Sequence, residues 1–297
     1  MEQPLDELRR LAAGAESRRT ETGIPRLAMA QGAIPEHELA AVYEPMLNLI
    51  LRGSKSMTIG DKTLRYDPAS YFVMSVDLPA VGTVQAEPTG EPYLAVSLTL
   101  DRAVIASLLE QAPPSVGKER GYSVGATTPE LLDAWVRLMR LMERPEDIPV
   151  LAPVYEREVL YRVLQGPQGW LLRDIAAPGA ALSGVHAAAR WMREHFDQPA
   201  SIDDLARLAA MSVSAFHRRF KTVTSMTPLQ FHKTIRLIQA RRLMVTEGLG
   251  AAAASNRVGY ESPSQFNREY ARLFGRSPRR DAAALIGQWR CAGGGER

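Results

Sequence analysis

Two sets of polar side chains in the C-terminal third of this 297-residue chain have the types and spacing to read hydrogen-bonding edges. Ser214, His217, Arg218 and Lys221 fall at i, i+3, i+4 and i+7, and Ser264, Asn267, Arg268 and Arg272 follow nearly the same rhythm. That rhythm gathers each set on one face of a helix. Arginine can pair bidentately with guanine O6 and N7, asparagine and glutamine with adenine N6 and N7, and further cations suit phosphates. Bond-making chemistry is poorly provided for. Cys291 is the only cysteine, which excludes a disulfide framework, a cysteine zinc site and a two-cysteine redox switch within one chain. His37 is the only histidine before His186, so the N-terminal part lacks the clustered imidazoles of a metal site and a Ser/His/Asp or Cys/His set. Asp61 and Asp67 are a conceivable carboxylate pair that reads more simply as solvated turn residues.

The elements that must carry these residues are written twice. A shift of 50 residues lays Ser212–Phe220 (SVSAFHRRF) over Ser262–Tyr270 (SPSQFNREY), and Ser225, Thr227 and Pro228 then fall on Gly275, Ser277 and Pro278. In the first copy Ser201 is placed to cap a helix with Ile202, Leu205, Leu208 and Ala209 on its apolar face. Ser212 is placed to cap a second, with Val213, Phe216, Phe220 and Val223 inward. In the second copy Ser262, Pro263 and Gln265 form a start signal for a helix with Phe266, Tyr270 and Leu273 or Phe274 inward, stopped by Gly275. Between the copies, Thr227 and Pro228 open a helix of about five turns to Glu247. The leading helix of the second copy, AAAASNR, lacks large aliphatic anchors, which predicts weaker packing there and a firmer grip by the first unit.

Charge is divided in the same place. Residues 1–182 hold 18 Lys and Arg against 24 Asp and Glu, a net −6, whereas residues 183–297 hold 18 against 9, a net +9. A basic domain beside an acidic one is the footprint of phosphate binding. Apolar residues make up 45% of the chain, enough for two cores. No apolar run approaches the roughly 20 residues of a membrane span, and MEQPLDELRR lacks an apolar signal core, so a cytoplasmic, nucleoid-associated protein without membrane contact is expected.

The segments SIDDLARLAAMSVSAFHRRFKTVTSMTPLQFHKTIRLIQARRLM and VGYESPSQFNREYARLFGRSP resemble the DNA-binding domain of AraC/XylS-type transcription regulators, over roughly Gly184 to Arg280. The resemblance implies two recognition helices in successive major-groove segments, about 34 Å apart, joined by the long helix. Carried across by position, Ser214, His217 and Arg218 of the first helix and Ser264, Gln265, Asn267 and Arg268 of the second approach base edges. Arg219, Lys221, Lys233, Arg272 and Arg276 are left for phosphates. Ser225 departs from the family, which usually has Gly there, and a left-handed backbone costs a non-Gly residue roughly 1 kcal/mol.

Upstream, Met46–Leu51, Lys55–Ile59, Tyr71–Val76 and Tyr93–Leu100 read as short strands, with Gly60-Asp61 as a tight hairpin turn. ELAAVYEPMLNLILRGSKSMTIGDKTLRYDPASYFVMSVDLPAVG resembles the N-terminal domain of one AraC subgroup, which implies a cupin-like barrel binding a small effector. Helices are expected over Asp101–Glu110, Pro129–Glu143 and Glu156–Leu164. The resemblance implies that the Pro129–Glu143 region can pair protomers.

The expected fold class is therefore α+β: an N-terminal cupin-like β-barrel with helices over residues 1–176, a linker at 177–184, and an all-α domain over 185–297. That domain carries two helix-turn-helix units, at about 201–223 and 250–274, joined by a long helix. The expected function is sequence-specific regulation of transcription on double-stranded promoter DNA, under an unidentified small-molecule effector. A homodimer is open, RNA polymerase is a partner if the protein activates, and no cofactor or metal is expected. The competing readings are a cupin-type enzyme fused to a DNA-binding domain, which metal analysis and a substrate screen would expose, and a non-specific architectural binder, which would not discriminate between duplexes.

Overall fold

The computed structural model describes residues 2–16, 19–32, 34, 39–68, 70–110, 120–176 and 181–292, the side chains of 181, 182 and 288–292 excepted. His37 and the linker residues 177–180 lie outside these.

The fold class is α+β, as expected. The N-terminal half begins with α1 (Glu2–Leu11) and then ten strands: β1 (Thr20–Glu21), β2 (Leu27–Gln31), β3 (Ala40–Tyr43), β4 (Met46–Arg52), β5 (Ser54–Ile59), β6 (Lys62–Tyr66), β7 (Ser70–Met74), β8 (Leu78–Gln85), β9 (Leu94–Thr99) and β10 (Tyr122–Ala126). Among the described residues four further α-helices complete it: α2 (Arg102–Leu109) before β10, then α3 (Pro129–Met139), α4 (Ile148–Gln165) and α5 (Gly169–Ala176). Asp101 and Thr128 cap α2 and α3 through their side chains.

The cupin-like barrel is not closed. The strands form a six-stranded sheet, β1-β2-β9-β4-β7-β10, and a four-stranded sheet, β3-β8-β5-β6, all antiparallel where paired. The chain changes sheet at Gly53, whose φ of 74° and whose Cβ position, 2.2 Å from the Gln85 carbonyl oxygen, admit only glycine. Closure would have paired the sheet edges with each other. Instead the β10 edge is satisfied by other elements: Gln168 Nε2 donates to the Val124 carbonyl at 3.2 Å, and the Gly121 amide donates to the Val223 carbonyl at 2.9 Å.

Alternation along the central strands sets the layers. Leu47, Leu49, Leu51, Val73, Val96 and Leu98 face α1 to α5, with Trp135 fully buried among them. Ile50, Phe72, Met74 and Ala95 point the other way, toward Met57, Ile59, Leu78 and Ala80 of the smaller sheet. The six-stranded sheet is therefore apolar on both faces. Its β4, β7 and β9 were accordingly legible as short apolar runs, whereas β1, β2, β3, β6, β8 and β10 were not marked as strands.

The C-terminal half is all helical: α6 (Ala181–Glu194), α7 (Ile202–Leu208), α8 (Val213–Thr224), α9 (Pro228–Thr246), α10 (Ala251–Arg257), α11 (Pro263–Phe274) and α12 (Pro278–Ala292). Helix α6 begins inside the stretch expected to be linker. Gly184 lies within it, and its Cβ position is 2.4 Å from the Ala209 carbonyl oxygen, so this glycine serves close packing rather than flexibility. Cys291 falls in α12. Among the described residues no helix is long and apolar enough to cross a membrane.

Candidate nucleic-acid interface

Each unit is built by its caps. The Ser201 and Ser212 hydroxyls accept from the Asp204 and Ala215 amides, each at 3.4 Å, and start α7 and α8. In the second unit Gly250 offers α10 no side-chain cap, while Ser262 accepts from the Gln265 amide at 3.3 Å and Pro263 fills the first position of α11. The reciprocal capping box lies elsewhere, at Thr227 and Gln230, where it starts α9. Gln265 turns its side chain to Glu269, at 3.0 Å.

The turns differ by one residue. Ala210, with φ of 53°, and Gly259, with φ of 78°, hold the left-handed bend in the first and second unit. The repeat therefore runs at 49 residues through the leading helices and turns, and at 50 from Ser212 and Ser262 onward, with Glu261 as the inserted residue. The recognition helices each end in a left-handed residue, Ser225 at φ 60° and Gly275 at φ 74°. Ser225 is held by a 2.7 Å hydrogen bond between its hydroxyl and the Tyr122 hydroxyl, a contact from β10 that offsets the backbone cost.

Phe216 and Phe220 are buried in the first unit, and Phe266 and Tyr270 in the second. Two expected inward residues are not: Val213 is 40% exposed and Leu208 48%. Of the residues assigned to base edges, Ser214, Arg218, Ser264, Asn267 and Arg268 are exposed, and His217 and Gln265 are half-buried. The two sets thus stand outward on equivalent helices.

The expected phosphate contacts are less uniform. Lys221, Arg272 and Arg276 are exposed. Lys233 Nζ is 2.6 Å from Glu269 Oε1, a carboxylate that also accepts from the Tyr260 hydroxyl at 2.7 Å. These partners hold Glu269 below its ordinary pKa against the opposing effect of burial. Arg219 is half-buried, within electrostatic range of Asp174 on α5, whose carboxyl burial raises to about 7. Lys221, Lys233 and Arg272 line one groove of about 480 Å³, into which the β5–β6 turn brings Asp61.

Sequence reasoning missed Arg236. From α9 it donates to the backbone carbonyls of Phe196 (2.7 Å), Gln198 (2.9 Å) and Gly259 (3.0 Å), joining the end of α6 to the turn of the second unit. The Cβ position of Gly259 is 2.3 Å from the Asp197 carbonyl oxygen, so the segment between α6 and α7 meets the turn of the second unit backbone to backbone. No sequence signal marks a cation whose partners are carbonyls. Arg241 and Asp281 were missed for a similar reason: they pair at 2.8 Å, about 40 residues apart, in the interior.

Two capped recognition helices, joined by one helix and clamped through Arg236, define a bipartite helix-turn-helix protein attached to an open two-sheet domain. The description "AraC-type transcriptional regulator N-terminus" matches residues 23–171, half of the chain, and "Helix-turn-helix domain" matches residues 205–283. The chain belongs to the AraC-type family of transcriptional regulators. It is 28% identical over 145 residues to the HTH-type transcriptional activator RhaS of Salmonella schwarzengrund, covering 48% of this chain and 51% of RhaS. It is 30% identical over 108 residues to the MmsAB operon regulatory protein of Pseudomonas aeruginosa, covering 36% of this chain and 34% of that one. The chain thus spans about half or less of the length of these relatives. ToxT of Vibrio cholerae, in a structure with an unsaturated fatty acid bound, shares the fold at a TM-score of 0.55 and 9% identity, covering 88% of this chain and 95% of ToxT.

Proposed function

We propose that the protein is a sequence-specific transcription regulator that binds double-stranded promoter DNA through both helix-turn-helix units, and whose N-terminal domain responds to a small-molecule effector. The observation that carries this reading is the matched pair of outward polar faces on α8 and α11. Ser214, His217 and Arg218 read one major-groove segment, and Ser264, Gln265, Asn267 and Arg268 the next, with Gln265 leaving Glu269 to do so. Arg219, Lys221, Lys233, Arg272 and Arg276 position the domain on phosphates, Lys233 by exchanging its carboxylate partner for phosphate.

The N-terminal domain, residues 1–176, is the regulatory unit and not an enzyme. It pairs protomers through the α3 region, and residues 185–297 with α6 form the DNA-binding unit. Relatives named as activators support activation, with RNA polymerase as a further partner, in the cytoplasm at the nucleoid. A gel-shift titration on the DNA upstream of its own operon, beside a scrambled duplex, tests the reading. A salt-sensitive complex that prefers the operon sequence is expected, and Arg218→Ala or Arg268→Ala is expected to cost about 1–3 kcal/mol of that preference. Equal affinity for both duplexes would refute it.

A further inference from the structure

One cation in the N-terminal domain has no counterpart among the described residues. Lys55 lies on β5 at an inward-facing position, in line with Met57 and Ile59, and is 6% exposed. Among the described residues it makes no ion pair and no hydrogen bond. Its ammonium stands 5.2 Å from the centre of the Tyr43 ring. Tyr66 is its direct cross-strand partner on β6, and therefore shares its face of the sheet. Gly82, on the neighbouring β8, leaves the room its stem uses: a Cβ there would lie 3.2 Å from Lys55 Cε.

Among the described residues the surroundings are aromatic and acid-free. Tyr43, Tyr66 and Tyr93 are close enough to influence one another's ionisation, and burial drives all three hydroxyls above their ordinary pKa. Tyr43 donates to the Leu39 carbonyl at 2.8 Å and Tyr66 to Asn48 Oδ1 at 3.0 Å, whereas the Tyr93 hydroxyl has no hydrogen-bond partner among the described residues. Burial pushes the Lys55 ammonium down to about 8, with no carboxylate among the described residues to restore it. An unpaired buried ammonium is expensive, and a lone cation–π contact returns only part of that cost. The side chain is thus poorly explained as a packing element and well suited to an anion that arrives from outside.

We propose that the inner face of the four-stranded sheet at Lys55 is the effector site, and that it takes a small organic carboxylate with an apolar or aromatic body, the anion pairing with the Lys55 ammonium and the body lying against the tyrosines. The Tyr93 hydroxyl is available as a second donor to the same carboxylate. The proposal rests on the effector-responsive reading above and narrows it to one site and one ligand chemistry.

The test uses the full chain, wild type and Lys55→Met, with benzoate, 4-hydroxyphenylacetate, cinnamate and octanoate, each beside its primary amide. Thermal shift and calorimetry report binding, and the gel shift on the operon DNA is run in parallel. At least one carboxylate is expected to raise Tm and bind the wild type, its amide not to, and Lys55→Met to weaken that binding by about tenfold to hundredfold, the worth of a charge-assisted hydrogen bond. Without ligand, Lys55→Met is expected to keep or raise Tm, because it replaces an unpaired buried cation by an apolar side chain of similar length. A Tm fall in ligand-free Lys55→Met, equal binding of acids and amides, binding unaffected by the substitution, or no binding by any of the four acids would each overturn the proposal. Lys55-dependent binding that leaves DNA affinity unchanged would instead keep the site and refute its regulatory role.

Discussion

The two helix-turn-helix units share a backbone and differ in what lies at the centre. In the first, Phe220 and Phe231 meet edge to face, 5.1 Å between ring centres, in an apolar cluster that continues into Met57, Ile59, Phe72 and Tyr122 of the sheets. Fifty residues on, Phe220 is replaced by Tyr270 and Phe231 by Asp281. The Tyr270 hydroxyl donates to Asp281 Oδ2 at 2.7 Å, Asp281 pairs with Arg241, and the guanidinium lies 4.4 Å from the Phe274 ring centre. The cluster around them draws on residues 237–282 and on the edge of α6, with no strand involved. One unit is thus welded to the N-terminal domain by apolar burial, and the other is self-contained around a buried ion pair. An apolar core can be shared across a domain boundary, because burial has no directional demand. An ion pair must close locally.

The largest test of this contrast is Asp281→Ala. It leaves Arg241 buried without its counter-charge and is expected to cost about 3–5 kcal/mol, with amide exchange rising through α10 to α12 and protection kept in α8. Equal loss in both units would show that they fold as one.

The second test concerns the docked side. Burial, aided by Arg102 and Arg190, lowers the His186 pKa from 6.5 to about 4, so α6 holds a neutral imidazole against the N-terminal domain. Between those values the unfolded chain binds the proton and the folded one does not, so this contribution is complete above pH 6.5 and is lost as pH falls toward 4. Denaturant unfolding across that range should show a loss of up to about 3 kcal/mol attributable to this group, absent in His186→Gln.

Smaller effects belong to the Tyr122–Ser225 clasp. Tyr122→Phe removes one buried hydrogen bond and is expected to cost about 1 kcal/mol, with faster exchange at the Gly121 amide and none of that change in the second unit. Ser225→Gly gives up the same bond but relieves the left-handed backbone, so its effect should stay within about 0.5 kcal/mol. In the Tyr122→Phe background, Ser225→Gly should therefore stabilise the chain, which a double-mutant cycle by thermal unfolding would read directly.

Much of the interface was legible in the sequence, for a local reason. Ser201, Ser212, Ser262, Thr227-Pro228 and Gly275 act within their own turns, so their types and spacing fixed where helices begin and end. Ser214, Arg218, Asn267 and Arg268 then followed on the outward faces by periodicity alone. Reasoning of the same kind failed where a residue's role is set by a distant partner. Gln265 read as part of a helix start signal and as a base contact, and is bound to Glu269. Lys233 read as a phosphate contact and is held by the same carboxylate. The missing anchors of AAAASNR were visible in the sequence, whereas the buried pair of Arg241 and Asp281 in the same unit was not.

By itself the sequence determined the α+β division, the repeated unit, the charge split and the two polar faces, because each depends on neighbours within a few residues or on composition. Only the tertiary structure decided that the barrel stays open, that helix α6 begins at Ala181, that the first unit shares its core with the sheets, and that Lys55 stands inward with no counter-ion among the described residues. Those outcomes rest on contacts between residues far apart in the chain. Edge satisfaction, close backbone approach and the pairing of buried charges are properties of the assembled interior.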